Sequence, residues 1–514
     1  MLLFWLFPLC CLGVGSRVIW GPSKPWEADD GSRFLLCKGV LIVPASYEED
    51  SGEHITVYIE RFQRLSSQQG RSDKPRHHLI LLSGGPGQSG ALWRHELPPL
   101  VRRIPKKSHP GLCFYTIHLR GIGKSSKAFG PVKREKWQDS FKPPHSLARY
   151  SISNAARDVA SLARLVKRRP TDHFTLFGVS FGGFLAARTV TMFPDLFDWL
   201  IVDSPSMRTG RFSSANDDQF WRNCLEDEKC QEMVGSVRGI RRMYHRIVTG
   251  RRPNACIKTA EQKGRIEEWL WPLLRGEVSD ASSPYYHPAM LAIPIILHLY
   301  HCPSSHYFGH VMVPQIEEIR HKGRISVREG RAEEDRDFSI EPFYNSYILT
   351  SELIKYPKVP EECAGTSHLI TVTNQCYVWE RYLSDYKILK DHLYPLDQYR
   401  DNRIDSSRTK LVVLTGGMDL VTPPRLAINW SQTLTVPKKI MLHWTTRGHV
   451  VTPEAPCLEH MFAVVLATEK TKQRSYQRRL ANCIARANKE ARLDWHFKSD
   501  EYSFARDWCD LLDR

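Results

Sequence analysis

The sequence predicts an α/β fold with a mostly parallel central sheet, helices on both faces, and one large, mainly helical inserted cap. Three observations lead there. Short apolar runs rich in β-branched and aromatic residues recur between turn signals. Helical patterns stand between several of these runs, and short strand–helix–strand links favour parallel pairing in a sheet covered on both sides. The rhythm stops after Asp203 and resumes at Lys410, so the 514 residues read as one sheet interrupted once rather than as several separate domains.

Taken in order, strands are expected at 38–43, 55–59, 78–83, 114–119, 174–177, 199–202, 410–415 and 439–444. The first two lie close together and favour an antiparallel start. Val159, Leu162, Ala163 and Val166 set one apolar face of a helix over 155–166, with Ser153 or Asn154 as its cap. A second helix over 181–193 follows a strand directly and stops before Pro194. The expected organisation is a signal peptide over 1–16, a first part of the core over 17–204, the cap over 205–407, and the rest of the core over 408–514.

Composition narrows the function classes. A hydrophobic fraction of 42% supplies a large core and excludes a disordered chain, and the scattered 31 Gly and 32 Pro exclude collagen and coiled coil. The net charge is +16, but the basic stretches at Lys167-Arg168-Arg169, 238–242 and 470–492 are broken by acidic and apolar residues. None forms an aromatic-interleaved platform or a DNA-binding motif, so no nucleic-acid partner is expected. The first 15 residues carry no charge, contain Pro8, and run into Gly13, Gly15 and Ser16. That is the form of a secretory signal, too short to span a bilayer, and no later run reaches the length of a membrane span. A secreted or secretory-lumen protein is the expectation. The signal holds two of the 13 cysteines. The remaining odd number leaves one thiol free or bonded between chains, and Cys113, in an apolar run, is the candidate for a buried free one. Cys224 with Cys230, Cys363 with Cys376, and Cys457 with Cys483 are close enough in sequence to pair. Asn429-Trp430-Ser431 is the single glycosylation sequon. No Cys-x-x-Cys or histidine pair offers a metal site, and no cofactor is implied. Oligomeric state is not set by these features.

The chemistry concentrates at Gly178-Val-Ser180-Phe-Gly182-Gly183, where a strand runs through Gly-x-Ser-x-Gly straight into a helix. That is a nucleophile elbow, as in α/β-hydrolases. Ser180 is held strained and exposed, and side chains at 178 or 182 would collide with neighbouring backbone. A serine needs a base and an orienting acid, in the chain order Ser, Asp or Glu, His. Asp419 lies in the loop after one late strand, 239 residues beyond Ser180, and His449 lies after the next, 30 residues further on. His443 reads as a strand histidine, and Asp401 and Asp405 as solvated loop charges. The glycine loop Ser83-Gly84-Gly85-Pro86-Gly87 follows a strand, so Gly84 or Gly85 can offer an oxyanion-hole N–H beside that of Phe181. It lacks the lysine and spacing of a phosphate loop.

Gly84-Gly85-Pro86-Gly87, Arg120-Gly121-Ile-Gly123-Lys-Ser125, the elbow with its extra Gly183, Asp419-Leu-Val-Thr422-Pro423 and Gly448-His449 occur in this order. Together they resemble the prolyl and tripeptidyl aminopeptidase family of serine exopeptidases. Phe193-Pro194-Asp195 and Cys457 look closer to the tripeptidyl branch. The resemblance implies an α/β-hydrolase that cuts peptides near a free N-terminus by way of an acyl-enzyme, with cap carboxylates holding the amino group. Glu352, in Tyr347-Ile-Leu-Thr-Ser-Glu352, lies in a stretch similar to the helix carrying such an acid; the alternative reading is a solvated helix charge or a salt-bridge partner. Two positions depart from the family. Ser83 replaces a usual His, and His118 replaces a usual Asp two residues before Arg120; both bear on support of the oxyanion loop. A carboxylester hydrolase or lipase of the same fold shares the triad, and a hydrolase-like binding protein would break it.

Overall fold

The computed structural model describes residues 16–28, 31–48, 52–64, 77–105, 111–126, 147–207, 342–353, 385–417, 419, 422–445, 447, 449–452, 455–467 and 469–490. The expected signal, the pairs Cys224/Cys230 and Cys363/Cys376, and most of the 205–407 insertion lie outside these residues.

Nine strands form one sheet among the described residues: β1 (Arg17–Glu27), β2 (Arg33–Pro44), β3 (His54–Arg64), β4 (His77–Leu82), β5 (Leu112–Ile117), β6 (His173–Val179), β7 (Trp199–Asp203), β8 (Lys410–Gly416) and β9 (Lys439–Trp444). Their order is β1-β2-β3-β5-β4-β6-β7-β8-β9. Pairings from β1 through β3 to β5 are antiparallel, and every pairing from β5 onward to β9 is parallel. The antiparallel start is therefore present, and it includes a strand that sequence reasoning missed. β1 contains Gly21, Pro22 and Pro25 and pairs on one side only, with a register shift between Trp20 and Ser23. Proline is tolerated at such an edge, and it is what hid the strand.

Period-2 patterning explains the double layer. In β4, Ile80 and Leu82 enter one core and Leu79 and Leu81 the other; in β8, Leu411 and Val413 oppose Val412 and Leu414. Strands buried on both faces read as continuous apolar runs, as these do. One face is covered by α2 (Ile152–Val166), α3 (Phe181–Met192) and α5 (Pro424–Gln432). The other is covered by α1 (Trp93–Arg102), α6 (Leu458–Val465) and α7 (Lys470–Glu490). α2 starts earlier than expected because Ser151, not Ser153 or Asn154, is its cap, accepting the Asn154 N–H at 3.2 Å.

Within the insertion, α4 (Pro342–Leu353) buries Tyr344, Tyr347 and Ile348 in the same core as α2 and α3. Leu389, Tyr394 and Ile404 join them there. Cys457 and Cys483 form a disulfide joining the start of α6 to α7, one of the pairs spacing offered. Cys113 is buried and forms no disulfide, as expected, and the same holds for Cys37. Asn429 of the sequon is exposed on α5. No helix among the described residues is long and apolar enough to cross a membrane.

Candidate active site

β6 ends at Val179 and α3 begins at Phe181, leaving Ser180 alone in the turn at φ 52° and ψ −120°. A non-glycine residue held there costs on the order of 1–3 kcal/mol, so its surroundings must hold it. They do: Ser180 N–H donates to the Asp203 carbonyl at 2.8 Å, and the Ser180 carbonyl accepts from Gly183 at 2.9 Å and from Ser206 at 3.2 Å. The glycines are required by close approach. A Cβ on Gly178 would lie 2.1 Å from the Gly182 carbonyl oxygen, and one on Gly182 would lie 2.3 Å from that of Leu82.

Asp419 and His449 come together as expected. His449 Nδ1 lies 3.0 Å from Asp419 Oδ2, which fixes the proton on Nδ1 facing the carboxylate. Asp419 is buried, and its other oxygen accepts the Thr422 N–H at 2.8 Å. The Thr422 hydroxyl is 2.8 Å from Asp419 Oδ2 and 2.9 Å from the Ser204 carbonyl, one proton between two acceptors. Burial by itself pulls the His449 imidazolium down. The charge and hydrogen bond of Asp419, with the charge of Asp203 behind them, outweigh it and raise the pKa above 6.5. Ser180 Oγ and His449 Nε2 form no hydrogen bond to each other in this state. Such contacts commonly tighten only when substrate is bound.

The glycine loop after β4 sits beside Ser180: a Cβ on Gly84 would lie 3.3 Å from Ser180 Cβ. Gly84 N–H is already spent, donating to Oε1 of the buried Gln88 at 3.2 Å. Of the three expected donors, Gly85 and Phe181 are thus better suited to an oxyanion; Phe181 opens α3, where the first N–H groups have no intrahelical acceptor. The two positions that differ from the aminopeptidase pattern, Ser83 and His118, meet in this loop. Ser83 Oγ donates to the Ser89 carbonyl at 3.1 Å, and Ser89 Oγ lies 3.3 Å from His118 Nδ1. His118 Nδ1 also accepts the Lys124 N–H at 3.2 Å. Ser83 and His118 therefore brace the same residue from two sides.

Glu352 is buried and engaged. Its Oε2 lies 3.5 Å from Nη2 of buried Arg188, and its Oε1 accepts the Tyr394 hydroxyl at 2.9 Å. Arg188 follows Ser180 by about two helical turns, roughly 12 Å along α3. His443 lies in β9 with Nδ1 3.0 Å from Thr415 Oγ1, and Asp401 and Asp405 are exposed, each as expected. Among the described residues, the one gathering of metal-ligand types is Glu459, His460 and Cys483, and the disulfide already takes the Cys483 sulfur.

Sequence reasoning missed Gln88, Asp203 and Ser204. Asp203 is fully buried, and its carboxylate accepts the Val451 N–H at 3.0 Å and the Thr452 N–H at 2.8 Å, with the Thr452 hydroxyl also donating. Ser204 Oγ accepts the Val450 N–H at 3.0 Å. The available signal was position: both residues stand where β7 leaves the sheet, at the strand end shared with Ser180, Asp419 and His449.

A family model described as the alpha/beta hydrolase fold matches residues 77–228, the stretch running from β4 through the elbow and past β7. With the parallel strand order and the strand–turn–helix at Ser180, that decides the architecture. The fold is that of an α/β-hydrolase. No curated protein matches the sequence significantly. Solved structures similar to this α/β-hydrolase include a peroxisomal alpha-beta-hydrolase from Saccharomyces cerevisiae, at 12% identity and TM-score 0.34, covering 97% of this chain and 95% of that one. An acetyl xylan esterase from a Thermoanaerobacterium species matches at 12% and 0.33, covering 88% of each chain. Epoxide hydrolase A from Mycobacterium thermoresistibile matches at 14% and 0.31, covering 80% and 94%.

Proposed function

We propose that this α/β-hydrolase is a serine aminopeptidase, secreted or in the secretory lumen, that cuts peptides near a free N-terminus. The observation that carries the serine chemistry is the convergence at one strand end. Ser180 sits strained at φ 52°, and the Asp419–His449 pair is tied through Thr422 and Val450 to Ser204, the residue after the carbonyl that holds Ser180. The peptide preference is supported by the ordered motifs around the triad. Ser180 Oγ attacks the scissile carbonyl while His449 Nε2 takes its proton. The oxyanion is held by the N–H groups of Gly85 and Phe181, and His449 passes the proton to the departing amine. Water, deprotonated by the same imidazole, then releases the acyl group from Ser180. An epoxide-hydrolase reading is not supported, since that chemistry needs an Asp nucleophile where this chain has Ser180.

The test is chromophore release from prolyl and tripeptidyl anilides, together with fluorophosphonate labelling. Release that requires a free amino terminus, with labelling lost in Ser180→Ala, is the expected result. Turnover of short esters without anilide release would replace the peptidase by a carboxylester hydrolase. Absence of both labelling and turnover would leave a hydrolase-like binding protein. Glu352→Gln tests the anchor separately: a raised KM confined to free-amine substrates assigns it that role, whereas lost stability with KM unchanged assigns it to the Arg188 pair.

A further inference from the structure

The Asp419–His449 pair explains the tautomer of the imidazole but not what holds the His449 loop. Val450 has φ 59°, a left-handed backbone that a β-branched residue adopts only under constraint. The constraint is a set of hydrogen bonds to the end of β7. The three residues after His449 donate their N–H groups, in succession, to Ser204 Oγ and to the two carboxylate oxygens of Asp203, at 3.0, 3.0 and 2.8 Å. The Thr452 hydroxyl adds a second bond to Asp203 Oδ2. On its main-chain side, Asp203 accepts the Ser180 N–H at 2.8 Å. One residue therefore grips the nucleophile through its carbonyl and the base loop through its side chain.

We propose that Asp203 is a positioning residue for His449, clamping the loop that carries the base to the strand end that carries the nucleophile. The assignment rests on the serine-hydrolase reading for its catalytic meaning, while the clamp itself is a property of the fold. Neutral alternatives would serve worse. Three donors converge on the Asp203 carboxylate, and an amide at this position would turn an NH2 toward one of them. Asp203 is also a buried acid facing the histidine together with Asp419, and its charge favours the imidazolium. Burial pushes the Asp203 carboxyl up from the usual carboxylate range, against the three donors.

The experiment compares wild type with Asp203→Asn and Thr452→Val in two readouts. The first is the NMR titration of the His449 ring, which needs no catalysis. The second is the pH dependence of fluorophosphonate labelling at Ser180. The expected result is a His449 pKa lowered in Asp203→Asn, an acid limb of labelling moved to lower pH, and a labelling rate reduced about 10–100-fold on the pattern of lost outer-sphere support. Thr452→Val keeps the acid and loses one donor, so it should reduce the rate less and leave the pKa near wild type. An Asp203→Asn protein that is folded by circular dichroism, with His449 titrating and Ser180 labelling as in wild type, would overturn the proposal. If wild type itself does not label, the serine-hydrolase reading fails, and the NMR titration still decides whether Asp203 acts on His449.

Discussion

Arg120 and His449 are both basic side chains paired with a buried carboxylate, and they differ in how much of their hydrogen-bonding capacity is spent. Arg120 is fully buried and uses all five of its N–H groups. Nε and Nη2 bind Asp158 at 2.8 and 2.7 Å, and the rest reach the carbonyls of Ala45, Arg149 and Pro44. Asp158 is further held by the Tyr47 hydroxyl at 3.0 Å. Nothing is left over for a substrate. His449 engages Nδ1 alone, and among the described residues its Nε2 has no hydrogen-bond partner. A saturated pair ties Arg120 to α2 and to the end of β2. An unsaturated pair leaves one nitrogen open.

The comparison can be tested from its catalytic end downward. Ser180→Ala should abolish turnover, by about 10⁶-fold in kcat on the precedent of other serine triads, with the unfolding midpoint retained or raised because the strained turn keeps its backbone bonds. A Ser180→Ala enzyme with appreciable turnover would remove the triad from the mechanism. Asp419→Asn should lower kcat by about 10⁴-fold by turning an amide toward Nδ1. It should also move the acid limb of the pH profile. If His449 acts as base it must be neutral, and its raised pKa sets the expected wild-type limb on the high side of 6.5; without the Asp419 charge the limb should fall to lower pH.

Arg120→Ala should act through stability instead, costing about 3–5 kcal/mol by stranding Asp158 in the core, measured by denaturant unfolding. Arg120→Met combined with Asp158→Leu should recover most of that loss, because the desolvation cost of both charges disappears together. If the double variant remained as unstable as the single one, the pair would be more than a saturated structural clamp. The smallest effect concerns the opposite strand ends. His77 is stacked 5.1 Å from His173, and burial, with His173 second, lowers its pKa to about 4. The unfolded chain binds this proton near 6.5 and the folded chain near 4. The stabilisation is therefore complete above 6.5 and lost as pH falls toward 4, on the order of 1–3 kcal/mol. His77→Leu should flatten stability across that window.

The elbow was legible because its constraints are local. Gly178, Ser180 and Gly182 stand within five residues, so the Gly-x-Ser-x-Gly spacing marks the turn in the sequence; a Cβ on Gly178 would collide within the turn itself, whereas one on Gly182 would meet the β4 backbone at Leu82. The parallel strands were legible for a similar reason, since burial on both faces leaves unbroken apolar runs such as Leu411-Val-Val-Leu414. β1 was not, because an edge strand tolerates the proline and glycine that ordinarily mark a loop. The meeting of Ser83, Ser89 and His118 was visible only as two separate departures from a family pattern; their shared contact is made across β4 and β5.

The sequence by itself determined the α/β architecture, the serine elbow and the order of Ser180, Asp419 and His449, because strand periodicity, glycine spacing and loop position after a strand are written in neighbouring residues. The tertiary structure alone decided which groups are spent and which are kept. Glu352, an amino-group anchor by resemblance, is committed to Arg188, 164 positions away in the chain. Asp203, unremarked in sequence, holds a loop 249 residues further on. Hydrogen-bond saturation is a property of partners brought together by the sheet, and no spacing along the chain encodes it.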